Sequence, residues 1–164
     1  MTIHKAVFLD RDGVINRNND YYTYTTDQVV INNGVVEALK HFAENGFLLF
    51  VITNQSGVAK KLYSLDDVNA VHQYMQKIFN KEGVSITDFY FCPHHPDVSK
   101  CLCRKPDSLL IEKAAARYDV DLSQSFFIGD SSRDIEAATK AGVKGFLINA
   151  SESILPLAKK ICAG

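Results

Sequence analysis

Five short, nearly continuous apolar runs punctuate the chain, at Lys5–Asp10, Leu48–Thr53, Ile86–Cys92, Ser125–Asp130 and Lys144–Asn149. Runs this short, rich in Val, Ile, Leu, Phe and Tyr, suit parallel strands covered on both faces. Between them the apolar positions fall at helical spacing. Val35, Val36, Leu39, Phe42 and Ala43 form one stripe that stops near Gly46; Val68, Val71, Tyr74, Met75, Ile78 and Phe79 form a second that stops near Gly83. Leu109, Leu110, Ala114 and Tyr118 mark a third helix, and Ile135, Ala138 and Ala141, with Gly142 as stop, a fourth. Strand alternating with helix predicts an α/β fold. The expected form is a Rossmann-like three-layer sandwich with a five-stranded (or slightly larger), mainly parallel sheet and right-handed crossovers.

Two polar stretches break the alternation: Gly13–Asn33 after the first strand and Pro93–Pro106 after the third. Both leave from carboxyl ends of strands, where open α/β sheets place their ligand sites. With no repeat and no linker, residues 1–164 read as one domain, with 13–33 as a substrate flap and 92–106 as a metal-binding loop.

Composition narrows the function classes. The chain has 164 residues, 46% of them hydrophobic, and a net charge of -1. A balance so close to neutral argues against capture of nucleic acid or an anionic membrane. No apolar run approaches the roughly 20 residues needed to span a bilayer. Met1–Lys5 runs straight into a strand-like segment, so the expectation is a cytoplasmic protein without a signal peptide, acting as a monomer.

The chemistry gathers at the strand ends. The first strand closes in Asp10-Arg11-Asp12-Gly13. Two carboxylates so close to a buried strand repel one another and are costly to desolvate, and a divalent cation such as magnesium would offset both penalties. Asp10 is then a candidate nucleophile and Asp12 a candidate acid and base. The second strand closes in Thr53-Asn54-Gln55-Ser56-Gly57, which offers a hydroxyl, amides and backbone N–H groups to a phosphate. The fourth closes in Gly129-Asp130-Ser131-Ser132-Arg133-Asp134; Asp130 is a further candidate for magnesium, and Asp134 supports it one turn on. Helix capping is the plain alternative for these residues. Arg104 and Lys105 end the second polar stretch, Lys105 to neutralise phosphoryl oxygens and Arg104 to clamp another part of the substrate.

Cys92, His94, Cys101 and Cys103 lie within a dozen residues and make a complete Cys₃His set for structural zinc, with His95 as an alternative to His94. A polar loop has no core for these cysteines to fill. Cys162 reads as an ordinary residue near the end of the chain.

Together these segments resemble the four motifs of the haloacid dehalogenase superfamily: Asp10-Arg11-Asp12-Gly13-Val14-Ile15, Thr53-Asn54, Lys105, and Gly129-Asp130 through Asp134. The resemblance covers essentially the whole chain. It implies that Asp10 forms an aspartyl-phosphate and that Asp12 is the acid/base. It also implies that Asp10, the main-chain carbonyl of Asp12 and Asp130 hold magnesium, and that the first, second and fourth strands lie side by side. The Cys-Pro-His…Cys-x-Cys-Arg-Lys-Pro run is similar to the branch containing heptose bisphosphate and histidinol-phosphate phosphatases, which lack a separate cap domain. The sequence departs from the heptose enzymes at Asn18–Tyr24, at Asp107-Ser108-Leu109 and at Ser131, where a lysine is usual. The expected substrate is a small phosphorylated metabolite, heptose bisphosphate ahead of histidinol phosphate. A receiver domain would carry its phosphorylated Asp after the third strand, where Cys92-Pro93-His94 stand instead. A catalytically dead binding protein of the same fold is the remaining alternative.

Overall fold

Each expected strand forms in the computed structural model, which describes residues 2–164. The strands are β1 (Lys5–Leu9), β2 (Phe47–Asn54), β3 (Asp88–Cys92), β4 (Phe126–Gly129) and β5 (Lys144–Leu147). The helices are α1 (Val35–Glu44), α2 (Leu65–Lys81), α3 (Leu109–Tyr118), α4 (Ser132–Ala141) and α5 (Leu155–Ala163). The strands pair in parallel in the order β3-β2-β1-β4-β5. β2, β1 and β4 are therefore neighbours, and their carboxyl ends open at one edge of the molecule.

Alternation along the strands divides the core into two layers. Val7 and Leu9 of β1, with Leu49 and Val51 of β2, face α1, α2 and α5. Ala6, Phe8, Phe50 and Ile52 face α3 and α4. Phe8 is fully buried and stacks on Phe50 and Phe127 at centroid distances of 5.4 and 6.4 Å. Each such ring contributes about 1.5–3 kcal/mol by leaving water.

Two departures from the sequence expectation have physical reasons. Ile86 and Thr87 precede β3 rather than opening it: the Gln76 amide takes up the Ile86 N–H and C=O, at 2.9 and 2.7 Å. No element was expected after the fifth strand, yet α5 packs on α1 through the buried Ile154 and Ala158. It is short, and Pro156, a breaker in most contexts, sits in the first turn where the missing N–H costs nothing.

The segment after β1 is pinned at its base. Arg17 N–H donates to Val30 O at 2.8 Å and Asn32 N–H to Ile15 O at 3.0 Å, so the intervening residues arch out as a flap. Among the described residues no helix is long and apolar enough to cross a membrane.

Candidate active site

Lys105 is the hub of the site. Only 3% exposed, its ammonium donates to Asp10 Oδ1 at 2.9 Å, Asp134 Oδ1 at 2.6 Å and Ile52 O at 2.7 Å. Three donors meet three acceptors, so the charge is fixed in direction as well as place. Burial alone would push Lys105 down, but Asp10 and Asp134 outweigh it and hold the ammonium above its ordinary range. Asn54 sets the backbone beneath: its amide accepts from Lys105 N–H at 3.0 Å and donates to Lys105 O at 3.1 Å. Asn54, expected on the phosphate, lines the cavity and its side chain also clamps the lysine across 51 residues of sequence.

Asp10, Asp130 and Asp134 place carboxylate oxygens within 4.8 Å of one another. Burial, followed by the charge of Asp10, pushes Asp130 up to about 6. Burial likewise raises Asp10, against the pull of Lys105. Three carboxylates around one ammonium leave an excess of negative charge that a divalent ion would balance, and hard oxygen donors suit magnesium. Asp134 also caps α4. Ser131 is the N-cap, accepting from Arg133 N–H, while Asp134 Oδ2 accepts from Ser131 N–H at 3.2 Å. Capping and charge support, posed as alternatives by the sequence, coexist on the two oxygens of one side chain. Close packing decides two glycines: a Cβ on Gly13 would collide with the Asp130 carboxylate, and one on Gly129 with Asp134.

The Asp12 carboxylate stands apart from this group. Arg11 grips it with a fork, Nε to Oδ1 at 3.2 Å and Nη2 to Oδ2 at 3.1 Å. Asn16 adds a bond to Oδ1 at 3.0 Å and Gln55 one to Oδ2 at 3.1 Å. Both oxygens of its side chain are thus engaged within the protein, which leaves its main chain for the metal role that the resemblance implies. Gln55, expected to hold phosphate, is 1% exposed and stands one layer behind, bridging Asp12 and Thr53 Oγ1 at 2.9 Å. The Tyr63 hydroxyl donates to its carbonyl oxygen at 2.8 Å.

Asp10, Asp12, Thr53, Lys105 and Asp130 line a cavity of about 660 Å³, within the usual range for small-molecule sites. Ser56 and Arg104, the other substrate candidates, line it too, and Asn18–Thr23 of the flap close one side. Lys60, Arg133 and His95 were not singled out as substrate contacts from sequence, since basic side chains on the surface look alike until the fold is known; all three line the cavity. Arg133 brings a cation to the mouth, two residues from Ser131. Asp107 pairs instead with Lys140 at 3.6 Å, both half-exposed.

The cysteine loop closes on itself. Cys92, His94, Cys101 and Cys103 bring their ligand atoms within 4.8 Å of one another. Cys92 Sγ lies 3.7 Å from Cys101 Sγ, close to the edge of about 3.8 Å that a tetrahedron of 2.3 Å zinc–sulfur bonds requires. Cys92 lies 3.0 Å from Cys103 and His94 Nδ1 lies 3.3 Å from Cys103. His95 is engaged elsewhere, its Nδ1 accepting from Asp97 N–H at 3.1 Å, so His94 completes the set. These donors fit zinc. Arg104 ties the loop to the cavity, its Nη1 donating to His94 O at 3.4 Å.

Residues 4–148 match the haloacid dehalogenase-like hydrolase family. The chain belongs to that family. Among its relatives, the D-glycero-beta-D-manno-heptose-1,7-bisphosphate 7-phosphatase of Rhodopseudomonas palustris is 44% identical over 147 residues, 86% of this chain and 81% of its own. The D-glycero-alpha-D-manno-heptose-1,7-bisphosphate 7-phosphatase of Campylobacter jejuni is 39% identical over 148 residues, 90% of this chain and 83% of its own. The crystal structure of the D,D-heptose 1,7-bisphosphate phosphatase from B. bronchiseptica, complexed with magnesium and phosphate, is 30% identical. It superposes with a TM-score of 0.89 and covers 97% of this chain and 98% of that one. This haloacid dehalogenase-like hydrolase is thus a phosphatase, and its five-stranded sheet and Cys₃His cluster are as the sequence led us to expect.

Proposed function

We propose that this phosphatase hydrolyses a phosphate ester of D-glycero-D-manno-heptose 1,7-bisphosphate through an aspartyl-phosphate on Asp10, as a cytoplasmic enzyme active as a monomer. The observation that carries this reading is the Lys105–Asp10 contact of 2.9 Å at the floor of a polar cavity, where a carboxylate nucleophile and a phosphate-binding cation are already paired.

Thr53 orients the substrate phosphate, and Lys105, whose three donors are held by Asp10, Asp134 and Ile52 O, attracts it through its charge. Asp10 attacks phosphorus, the bond to the ester oxygen breaks, and Asp12 gives that oxygen a proton. Asp12 then takes a proton from water as the water attacks the aspartyl-phosphate, whose P–O bond breaks to return Asp10 and release inorganic phosphate. Asp10 and Asp130, with the main chain at Asp12, would hold magnesium, which supplies charge stabilisation to the transferring phosphoryl group. The Asp12 oxygens each accept two hydrogen bonds, which fills their lone pairs, so taking up a proton requires one donor to release. Cys92, His94, Cys101 and Cys103 would hold zinc, which pins the loop that delivers Arg104 and Lys105.

The mouth of the cavity favours the bisphosphate. Lys60, Arg104 and Arg133 line it against the single rim carboxylate of Asp20, a balance suited to a second anionic group. Histidinol phosphate would bring its cationic amine to the same surface.

Phosphate release with magnesium tests the reading on heptose 1,7-bisphosphate of both anomers, histidinol phosphate and simple sugar monophosphates. Preference for a heptose bisphosphate, abolished in Asp10→Asn, is the expected result. Preference for histidinol phosphate would overturn the substrate, and substantial turnover in Asp10→Asn would overturn the nucleophile.

A further inference from the structure

Arg11 is the largest fully buried side chain of the molecule, and a guanidinium without solvent must satisfy its donors internally. Two bonds reach Asp12, and Nη2 also donates to Thr23 O in the flap at 2.8 Å. Nη1 meets His72 Nε2 at 3.2 Å, 61 residues away in the middle of α2. An arginine only donates, so His72 Nε2 is the acceptor and the ring proton resides on Nδ1. Burial first, and the Arg11 charge second, push His72 down to about 3, which keeps the imidazole neutral wherever the enzyme works. The ring itself cannot swing. It stacks on Phe89 at 4.6 Å and 17° and meets Phe91 edge-on at 5.8 Å and 69°.

We propose that His72 is a positioning residue for catalysis: it fixes the Arg11 guanidinium, and through it the Asp12 carboxylate and the flap backbone at Thr23. The inference rests on the acid/base role given to Asp12. A fork is directional only if its third corner is held. Without the acceptor, Nη1 becomes a buried donor with nothing to bond, and the guanidinium can rotate away from Asp12. Proton transfer is sensitive to such displacements, since a misplacement of about 1 Å costs on the order of a hundredfold in rate. His72 touches neither the phosphate-binding residues nor Asp10, so its effect falls on turnover rather than on phosphate affinity.

The test compares wild type with His72→Phe, which keeps the stacking and removes the acceptor, and His72→Gln, which restores an acceptor. The substrate is the sugar phosphate cleaved best in the panel, and inorganic phosphate serves as the competing ligand. His72→Phe should lower kcat by about 10- to 100-fold while the inhibition constant of inorganic phosphate stays within about threefold. His72→Gln should recover most of the lost turnover. Full activity in His72→Phe overturns the proposal. So does a loss that His72→Gln fails to restore, or one that weakens phosphate binding in step with kcat, because either marks a plain packing role. Asp12→Asn is measured alongside: undiminished turnover there would remove the role of Asp12 itself, a failure distinct from that of His72.

Discussion

The acidic centre and the thiol cluster each gather metal-seeking side chains within 4.8 Å, yet they manage their charge in opposite ways. In the acidic centre a resident cation sits among the carboxylates: Lys105 is bonded to Asp10 and Asp134, and Asp134 is held again by the N-terminus of α4. That arrangement is assembled by the fold. The thiol cluster has no such cation. Burial, followed by a hydrogen bond with Cys103, raises the Cys92 thiol well above its ordinary range, and burial also raises Cys103. Such thiols keep their protons until a metal displaces them. The carboxylates thus have a cationic partner within the protein, whereas Cys92 and Cys103 have only their own protons.

The strongest way to break this comparison is to remove the resident cation. Lys105→Met keeps much of the volume but leaves Asp10 and Asp134 buried beside each other, with Asp130 close by. Breaking a buried pair in this way costs about 3–5 kcal/mol, and loss of a preorganised charge at the phosphoryl group costs about 10²–10³ in kcat. Denaturant unfolding and phosphate release measure the two effects. A variant as stable as wild type would mean that the fold, rather than Lys105, carries the carboxylates.

The thiol cluster should respond in the reverse proportion. Cys101→Ser, or treatment with a zinc chelator, should abolish stoichiometric zinc and lower the melting temperature by about 5–10 °C, the equivalent of about 2–3 kcal/mol in a chain of this size. Turnover should fall less than in Lys105→Met, because the loop reaches the chemistry only through the placement of Arg104 and Lys105. Unchanged melting and zinc content would sink the structural reading of the cluster.

The contrast also explains what sequence could disclose. Residues that hold charge at strand ends announce themselves: Asp10, Asp12 and Asp130 stand where apolar runs end, and their recurrence at two neighbouring strands exceeds what capping needs. The Cys₃His set announces itself by spacing in a loop with no core. Supporting residues give no such signal. His72 falls on the apolar stripe of α2 and reads as one more core position, because periodicity states which face is buried and not what that face meets. Arg11 looks like a solvated cation between two acids, although it is fully buried. Asn54 and Gln55 were legible as polar groups near the site, but that Asn54 lines the cavity while Gln55 stands behind Thr53 depends on side-chain direction. Helix α5 escaped for a similar reason, since its burial depends on α1.

The smallest effect separates the two imidazoles of these regions. His94 lies among the three thiols, whereas His72 accepts from Arg11 and must stay neutral to do so. The folded protein holds His72 down at about 3 against an ordinary 6.5. The unfolded chain therefore binds this proton more readily. The stability associated with His72 is complete above 6.5 and is lost as pH falls from there toward 3. At about 1.4 kcal/mol for each unit of pKa difference, lowering the pH from 7 to about 5.5 should cost wild type on the order of 1 kcal/mol through this group. His72→Phe has no such proton to refuse. Unfolding by urea at the two pH values, with zinc retained and no magnesium added, should show a steeper loss in wild type than in His72→Phe. Equal losses would mean that His72 accepts its proton in the folded state, and an imidazolium cannot accept a hydrogen bond from Arg11.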